Sequence, residues 1–400
     1  MRASAAEVYS APTEADRPRS ALSVLDAKSQ LSMEYRVDLH ETPGELEDLA
    51  PEWRRLAERA GNPFASPEWF GSILPDLSPA SRPAVIGIRR LEGDLVGVFP
   101  FVRSSSRSGA ELSLAGAELA DILQPAAAPD HEEGAARALG EALPALHVGG
   151  PIRLGRVDSA AGWWRVLAGA SSSARVAVLG PPDQLPYLLL PSSWDEYKAS
   201  RSRSFRSQLG RKMRSLRRDH DVVITRVTDA PGLEAALESL FRLHDRRWEQ
   251  RAGDSAFAPS TRAFHRRLVG ATTSAGWTRI FVMEIDGAPA AAWYGWRLGD
   301  RTLYYQSGFD PAWQRHSVGF LLLAETIKGA IEEGCSEYDM LLGDESFKAR
   351  FADRAREGRR VTLARRISVA RLRAEVHMGA RRAWWALRKR DRAGPQSDSG

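Results

Sequence analysis

Apolar residues along the chain alternate between two spacings, every second position and every third or fourth position. "EYRVDL" (34–39) has the first spacing and predicts a strand. "PGELEDLAPEWRRLAERAG" (43–61) has the second spacing and predicts a helix, with proline in its first turn and glycine after its end. "PAVIGIRRLEGDLVGVFPFVRS" (83–104) predicts two strands joined at Glu92, Gly93 and Asp94. A helix at 132–146 and a strand at 151–157 follow, so the first half is α/β.

The second half repeats this order of elements. A basic helix at 201–219 with a buried stripe is followed by a strand at 221–227, a helix at 232–251 and three strands over 278–309. A polar turn, a helix at 317–333, the strand "EYDMLLG" (337–343) and a short helix from Ser346 complete the pattern. The turn-rich "GPPDQLP" (180–186) marks the boundary, and the repeated order predicts a duplicated fold.

Composition narrows the class of protein. The chain has 400 residues, enough for two apolar cores, and its 43% hydrophobic and 27% charged content is typical of soluble globular proteins. The net charge of +5 indicates an anionic partner. The single cysteine, Cys335, excludes an internal disulfide and a multi-cysteine metal site, and we expect no metal. No run approaches the roughly 18 apolar residues of a membrane span, and residues 1–33 lack a signal-peptide core. We therefore expect a cytoplasmic protein with a disordered leader.

The polar turn "QRHSVG" (314–319) lies directly between a strand and a helix. A helix start leaves backbone N–H groups without partners, and its dipole favours negative charge. Small residues at Ser317 and Gly319 allow a phosphate group to approach the backbone, and Arg315 adds a positive charge. The turn therefore predicts an anion site. The alternative is a helix start capped by Ser317 with no ligand.

This turn is similar to the acyl-CoA loop of the GNAT acyltransferase superfamily, whose pattern is Gln or Arg, two residues, Gly, any residue, then Gly or Ala. Gln314 and Gly319 match the pattern, and Ser317 stands where the family has glycine. "YYQSGFDPAWQRHSVGFLLL", "GCSEYDMLLGDESFKARF" and "SRSRSFRSQLGRKMRSLRRDHDVVI" look like signatures of one GNAT branch, the CelD/BcsL cellulose-biosynthesis family. The resemblance covers roughly residues 34–366.

The CelD/BcsL family resembles the tandem folds of the FemABX type, which implies an α/β chain with two GNAT-like domains in tandem and mixed central sheets flanked by helices. We place an N-terminal domain without a cofactor loop at 34–180, because "DILQPAAAPDHEEG" lacks the pattern, and a working domain at 181–366. Residues 367–400 are predicted to form a basic amphipathic helix and tail, which would either dock on the body or lie on an anionic membrane surface.

The resemblance implies transfer of an acetyl or other short acyl group from acyl-CoA to an amine or hydroxyl, possible acceptors including a glycan. The carbonyl oxyanion would be held by a backbone N–H on the strand before the turn, around Ser307 and Phe309. The predicted cofactor-binding residues are Ser307, Phe309, Gln314, Arg315, Ser317, Val318 and Gly319.

Catalytic groups are predicted beyond the next strand. Asp344 and Glu345 are candidate bases, with stabilisation of a helix start as their alternative role, and His316 is a further candidate. Many GNAT enzymes place a tyrosine acid where this chain has Phe347 and Phe351. Tyr305 is the predicted substitute, with Tyr304 and Tyr338 as alternatives. The predicted substrate contacts are Lys348, Asp339, Arg211 and Lys212.

Two other functions stay open from the sequence. One is a FemABX-like aminoacyl transferase that takes its donor from aminoacyl-tRNA, and the other is a non-catalytic GNAT scaffold in a polysaccharide-synthesis complex. The basic helix has no aromatic residues among its arginines to stack on bases, so nucleic acid is the less favoured partner. The family name implies a role in envelope polysaccharide assembly.

Overall fold

The computed structural model of the chain describes residues 7–9, 34–106, 109–146, 148–171, 175–248, 257–343 and 347–365. Three predictions fall outside these residues: most of the leader, the pair Asp344 and Glu345, and the C-terminal helix and tail over 367–400. None of the described helices is both long enough and apolar enough to cross a bilayer.

The chain divides into two units, residues 1–183 with 357–400 and residues 184–356. The sequence predicted domains at 34–180 and 181–366, so the second boundary differs. The difference has a structural cause, because residues 358–363 pair antiparallel with residues 152–158 and extend the sheet of the first unit.

Among the described residues, the first unit contains seven complete strands, parts of β8 and of the last strand of the chain, and four helices. The strands are β1 (Glu7–Tyr9), β2 (Tyr35–His40), β3 (Ser81–Arg90), β4 (Leu95–Ser106), β5 (Gly109–Leu114), β6 (Ala126–Ala127), β7 (Ile152–Asp158) and the first part of β8 (Arg175–Leu189). The helices are α1 (Pro43–Ala60), α2 (Pro67–Ile73), α3 (Glu132–Ala142) and α4 (Trp163–Ala170).

The second unit continues from the last part of β8. Its helices are α5 (Trp194–Ser200), α6 (Arg203–Asp219), α7 (Ala230–Trp248), α8 (Pro259–Ser274) and α9 (Val318–Glu332). Its strands are β9 (Val222–Val227), β10 (Thr278–Ile285), β11 (Ala288–Leu298), β12 (Arg301–Phe309), β13 (Glu337–Asp339) and the first residues of β14 (Arg354–Arg365), whose remainder belongs to the first unit.

The sheet of the first unit has the order β2, β3, β4, β5, β7, β14, and only β5 and β7 run parallel among these neighbours. Helix α1 begins with a capping box between Thr42 and Glu45 and ends at Gly61 in the left-handed conformation. Strand β1 pairs with residues 177–179 of β8, so part of the predicted disordered leader is a strand. Its sequence "EVY" contains β-branched and aromatic residues, which favour extended backbone.

The sheet of the second unit has the order β8, β13, β12, β11, β10, β9, and only β12 and β13 run parallel. Helix α9 packs on this sheet through buried Leu321, Leu322 and Ile327. The predicted stripe on α6 is confirmed, since Phe205 and Leu216 are buried and their apolar neighbours Leu209 and Met213 pack against the same core.

Three predicted elements differ from the structure. "GPPDQLP" lies within strand β8, because proline fits extended backbone and the carbonyls of Gln184 and Pro186 still accept hydrogen bonds from Gly343 and Met340. Strand "EYDMLLG" ends early at Asp339, because Leu341 takes a positive φ of 52°. The short helix after it is a 3₁₀ turn, Lys348–Arg350.

The pairing of β11 with β12 contains a bulge. Tyr294 lies opposite Gln306, whereas Gly295 lies opposite Tyr304, so Tyr305 is an extra residue on β12. A Cβ atom on Gly295 would lie 2.0 Å from the carbonyl oxygen of Leu303. The bulge therefore requires glycine at this position.

We predict that Gly295→Ala lowers the free energy of unfolding by about 3 kcal/mol, because the methyl group overlaps backbone that cannot move without breaking the sheet. Gly270→Ala is the matched control. It lies within α8 with nothing near its Cβ position, so alanine should raise the free energy of unfolding by about 0.5–1 kcal/mol. Denaturant titration followed by tryptophan fluorescence measures both. Equal midpoints for Gly295→Ala and the wild type would contradict the packing argument.

Candidate functional site

Strands β12 and β13 separate after three pairs of residues. Arg301, Thr302 and Leu303 pair with residues 337–339, and beyond this point the chain follows β8, since the Met340 amide donates to the carbonyl of Pro186 at 2.9 Å. Within the described part of the chain, the edge of β12 from residue 304 to residue 309 therefore has no strand neighbour on this side. Its backbone groups face a gap.

Backbone amides of Ser307 and Phe309 point into that gap. The amide of Asp310 donates to the carbonyl of Ala290 at 2.9 Å, which orients Asp310 towards β11. Orientation alternates along a strand, and the register between residues 306 and 309 is regular, so Gly308 also faces β11 while Ser307 and Phe309 face the opposite way. Two backbone donors thus line the gap at the position that the sequence predicted.

The helix start beside the gap also presents free amides. Ser317, at the N-cap position of α9, has a φ of 57° and a ψ of 44°, and its side chain makes no capping hydrogen bond. The amides of Phe320 and Leu321 donate to the Ser317 carbonyl, which leaves those of Val318 and Gly319 without an acceptor among the described residues. The geometry opposes the alternative of a helix capped by the Ser317 side chain.

Side chains from other elements contact the turn before α9. The Asp310 carboxylate accepts from the amide of Ala312 at 2.9 Å and from Arg246 at 2.5 Å. The ring of His220 packs against Trp313 with centroids 4.9 Å apart, and its Nδ1 lies 2.7 Å from the carboxylate of Asp286. These contacts fix the turn, so the free amides are held in place before any ligand binds.

The gap and the helix start open into one cavity of about 230 Å³. Six of the seven predicted cofactor-binding residues line it, namely Ser307, Phe309, Gln314, Ser317, Val318 and Gly319. The seventh, Arg315, is exposed in the turn, and its carbonyl accepts from Lys212 at 3.4 Å. The remaining lining residues are Ala292, Trp293, Tyr304, Gly308, Phe320, Leu322, Leu323 and Phe347.

Lys348 bonds to the segment that follows β13. Its side chain is buried, with 6% of the residue exposed, and Nζ donates to the carbonyls of Met340 and Leu342 at 3.0 and 2.5 Å. It also lies 5.6 Å from the ring centre of Tyr304. These carbonyls belong to residues 340–342, which follow β13 and diverge from β12. The ammonium group of Lys348 therefore supplies the donor for both of them. This placement is typical of a structural lysine, and the predicted substrate contact of Lys348 stays a prediction.

Asp339 sits in a buried ion cluster at the base of the gap. Its carboxylate accepts from Arg301 at 2.9 Å, from Arg356 at 3.3 Å and from the amide of Leu341 at 2.8 Å. Burial raises the pKa of Asp339, and the arginines and the amide act against that change. Asp339 is not among the residues that line the cavity. It fixes the turn at Leu341 that ends β13.

The other predicted side chains lie apart from the cavity. Tyr305 is buried against His265, Trp296 and Tyr294, on the side of β12 opposite to Tyr304. The ring of His316 packs on His220, 5.7 Å between centroids. Arg211 is exposed on α6. Asp344 and Glu345 lie outside the described residues, so their roles stay predictions.

Tyr304 is the tyrosine that lines the cavity, with its hydroxyl 2.5 Å from Oγ of Ser307. The prediction chose Tyr305 because sequence spacing alone does not reveal the bulge, which sets the direction of each side chain after it. Trp293, on the neighbouring strand opposite Ser307, was also missed. Trp293 and Tyr294 are consecutive residues of a strand, so the sequence already indicated that their side chains lie on opposite faces of the sheet.

The equivalent helix start in the first unit is acidic. Helix α3 begins with Glu132 and Glu133 after a 3₁₀ turn, Pro129–His131. Burial, with the nearby carboxylates of Glu133 and Asp158, raises the pKa of Glu132. Carboxylates at a helix start occupy the favourable end of the dipole and repel a phosphate group, and the absence of a cofactor loop from the first half stays a prediction.

Residues 203–349 match the family model described as an acetyltransferase (GNAT) domain. The matched stretch contains α6, the separated strands and the turn before α9. No curated protein sequence matches the chain.

Among solved structures, the chain is similar to three that have 11% identity to it. They are FemX (TM-score 0.57, covering 81% of this chain and 96% of that one), the C-terminal domain of a putative lysylphosphatidylglycerol synthetase from Agrobacterium fabrum (0.52, 83% and 97%) and a conserved protein of unknown function from Bacteroides thetaiotaomicron (0.50, 82% and 100%). Likeness at this identity shows the fold alone. The predicted fold class is confirmed: two GNAT-like α/β units in tandem with mixed sheets. The narrower CelD/BcsL resemblance stays a prediction.

We predict that Lys348→Met lowers the free energy of unfolding by about 1–3 kcal/mol, because two buried carbonyls lose their donor. Lys328→Met on α9 is the control, since Lys328 makes only a partly exposed i,i+4 ion pair with Glu332, and its loss should change stability by less than about 0.5 kcal/mol. Thermal or denaturant unfolding compares the two. A Lys348→Met protein as stable as Lys328→Met would mean that the ammonium group is not needed to hold the strands apart.

Ser317→Gly tests the strain in the turn. Glycine adopts positive φ without the cost that a Cβ imposes, so we expect stability to rise by up to about 1 kcal/mol. The same change at Ser207, exposed on α6, should lower stability by about 0.5 kcal/mol because glycine weakens a helix. Opposite signs in one denaturation experiment support the left-handed turn, and equal losses would contradict it.

Proposed function

We propose that this chain is an acyltransferase that moves an acyl group from acyl-CoA to an amine or hydroxyl acceptor. The observation that carries the proposal is the convergence of two sets of backbone donors on one cavity: the amides of Val318 and Gly319 at the start of α9, and that of Ser307 on β12 beyond its pairing with β13.

The helix start is suited to the pyrophosphate of CoA. Its free amides and dipole favour a dianionic group, and the exposed Arg315 adds positive charge beside them. Gly319 leaves open space in front of the helix, since a Cβ atom there would have Phe309 as its only neighbour within 4 Å, at 3.6 Å. A phosphate group can therefore approach the backbone closely.

The edge of β12 is suited to the reacting carbonyl. When the acceptor attacks the thioester carbon, negative charge develops on the carbonyl oxygen, and an amide from Ser307 or Phe309 would donate to it. The intermediate then collapses, the C–S bond breaks, and CoA leaves as a thiolate. Because the strand is rigid and the amides already face the gap, little reorganisation is needed during the reaction.

The acceptor half of the reaction needs a general base and a nucleophile. The proposed base is Asp344 or Glu345, which follow the segment that leaves β12. The sequence resemblance to the CelD/BcsL family motivates a glycan amine or hydroxyl as acceptor, in envelope polysaccharide assembly. A screen of amino sugars and glycan hydroxyls, with detection of the released CoA thiol, tests this directly.

We predict that Gly319→Asp weakens CoA binding by about 100-fold or more, since like charges 4 Å apart repel by about 4 kcal/mol at an effective dielectric constant of 20. Gly319→Ala is the control, because its methyl group fits in ordinary contact with Phe309 and should change affinity by less than about threefold. Calorimetric titration with CoA measures both, and circular dichroism checks the fold.

Equal CoA affinity in folded Gly319→Asp and Gly319→Ala proteins would remove the turn from the binding site. Absence of CoA binding by the wild type, combined with salt-dependent binding of RNA, would favour the aminoacyl-tRNA alternative. Absence of both would favour a non-catalytic scaffold.

A further inference from the structure

Three cations lie at the rim of the cavity, on the side of helix α6. Lys212 donates from Nζ to the carbonyl of Arg315 at 3.4 Å, so its ammonium group lies against the turn before α9. Arg350 donates to Oε1 of Gln208, and its guanidinium centre lies 4.3 Å from the ring centre of Phe320, which lines the cavity. Arg315 is exposed in the turn itself. We call Lys212, Arg315 and Arg350 the cationic rim.

The position of the cationic rim depends on the packing of α6 against α9. Phe205 of α6 contacts Phe320 of α9 edge to face, with ring centres 5.3 Å apart. Gln208, which accepts the hydrogen bond from Arg350, is four residues before Lys212, so the two lie on one face of α6 about 6 Å apart along its axis. Two cations are thereby placed along the start of α9, one beside the turn and the other beside the first helical residues.

The cationic rim has no protein counter-charge in the described part of the chain. The side-chain contacts of Lys212 and Arg350 are with neutral oxygens, which place the two charges without neutralising them. By contrast, Arg262 on α8 pairs with the carboxylate of Asp245 at 2.6 Å. An anion from solution is therefore the counter-charge that the cationic rim lacks.

Coenzyme A has a second anionic group besides its pyrophosphate. This is the phosphate monoester on the 3′-oxygen of its ribose, and such a group carries about −1.5 to −2 charges at pH 7. The amides of Val318 and Gly319 account for the pyrophosphate, whereas the 3′-phosphate, one ribose ring away, has no partner there. Arg315 precedes Val318 by three residues, which span at most about 11 Å of chain. The cationic rim is thus close to the helix start but separate from it.

We propose that the cationic rim is a subsite for a phosphate monoester and that it binds the 3′-phosphate of the donor. Lys212 and Arg350 are the contacts that other side chains and backbone hold in place, and Arg315 adds charge from the turn. Hydrogen bonds from a cation to a phosphate are charge-assisted and stronger than neutral ones. The inference rests on the proposed use of acyl-CoA, and it adds recognition of a second phosphate group.

Calorimetric titration of the full chain with CoA and with 3′-dephospho-CoA tests the subsite without an acceptor. The two ligands differ only in the 3′-phosphate, so the wild type should bind CoA about tenfold more tightly, as expected for a hydrogen bond to a charged group. Lys212→Met should weaken the binding of CoA about fivefold and change that of dephospho-CoA by less than about twofold. Added salt should reduce the difference between the ligands.

Arg214→Met is the matched control. It removes the same charge from the same helix, and Arg214 is exposed two residues after Lys212, about 200° around α6. A cation on that side of the helix acts on the ligand only through its long-range field, so both affinities should change by less than about twofold. Circular dichroism checks the fold of the variants. The wild-type comparison needs no variant, so it decides even if a variant does not fold.

Equal affinity of the wild type for CoA and dephospho-CoA would overturn the subsite while leaving acyl-CoA use intact. Equal weakening of both ligands by Lys212→Met would also overturn it, because Lys212 would then act on the pyrophosphate. The same holds if Arg214→Met weakens CoA as much as Lys212→Met does, since only the general field of α6 would be acting. Failure to bind either ligand would overturn the proposed function itself.

Discussion

The separation of β12 from β13 is the constraint on which the rest of the site depends. Two parallel strands that begin in register continue together unless something satisfies their backbone groups in another way. Here Leu341 turns the chain through a positive φ, the carboxylate of Asp339 accepts the Leu341 amide, and Lys348 donates to the carbonyls on either side of that residue. The gap is therefore stabilised by its own hydrogen bonds. Without it, the amide of Ser307 would belong to a sheet and could not bind a ligand.

The turn before α9 meets a second constraint, which concerns the backbone conformation of Ser317. Its positive φ directs the first amides of the helix towards the cavity, and the same conformation prevents the serine side chain from capping them. The superfamily pattern has glycine at this position, for which positive φ carries little cost. This chain keeps the geometry with serine because Asp310, Trp313 and His220 fix the preceding residues. Strain of this kind persists only where the surrounding contacts determine the conformation.

Much of the fold was predictable from the sequence because each element has a local signal. Helices α1 and α6 and the hairpins of β3 with β4 and of β10 with β11 follow from apolar spacing and turn glycines. The position of the turn Gln314 to Gly319 between a strand and a helix was predictable because its sequence signal is local too. The roles of Tyr305 and Lys348 were not predictable in this way. A single extra residue on β12 reverses which tyrosine faces the cavity, and the burial of Lys348 depends on carbonyls whose free position only the separated strands create. Both depend on tertiary structure, for which the spacing of residues along the chain gives no signal.

The polarity of the cavity links these two constraints to chemistry. Backbone donors at the entrance act more strongly as the effective dielectric constant around them falls, and an apolar interior behind them lowers it. Trp293 and the leucines of α9 lie beside Ser307 in the cavity lining, and in the proposed reaction they would strengthen the hydrogen bond from its amide to the carbonyl oxygen by excluding water.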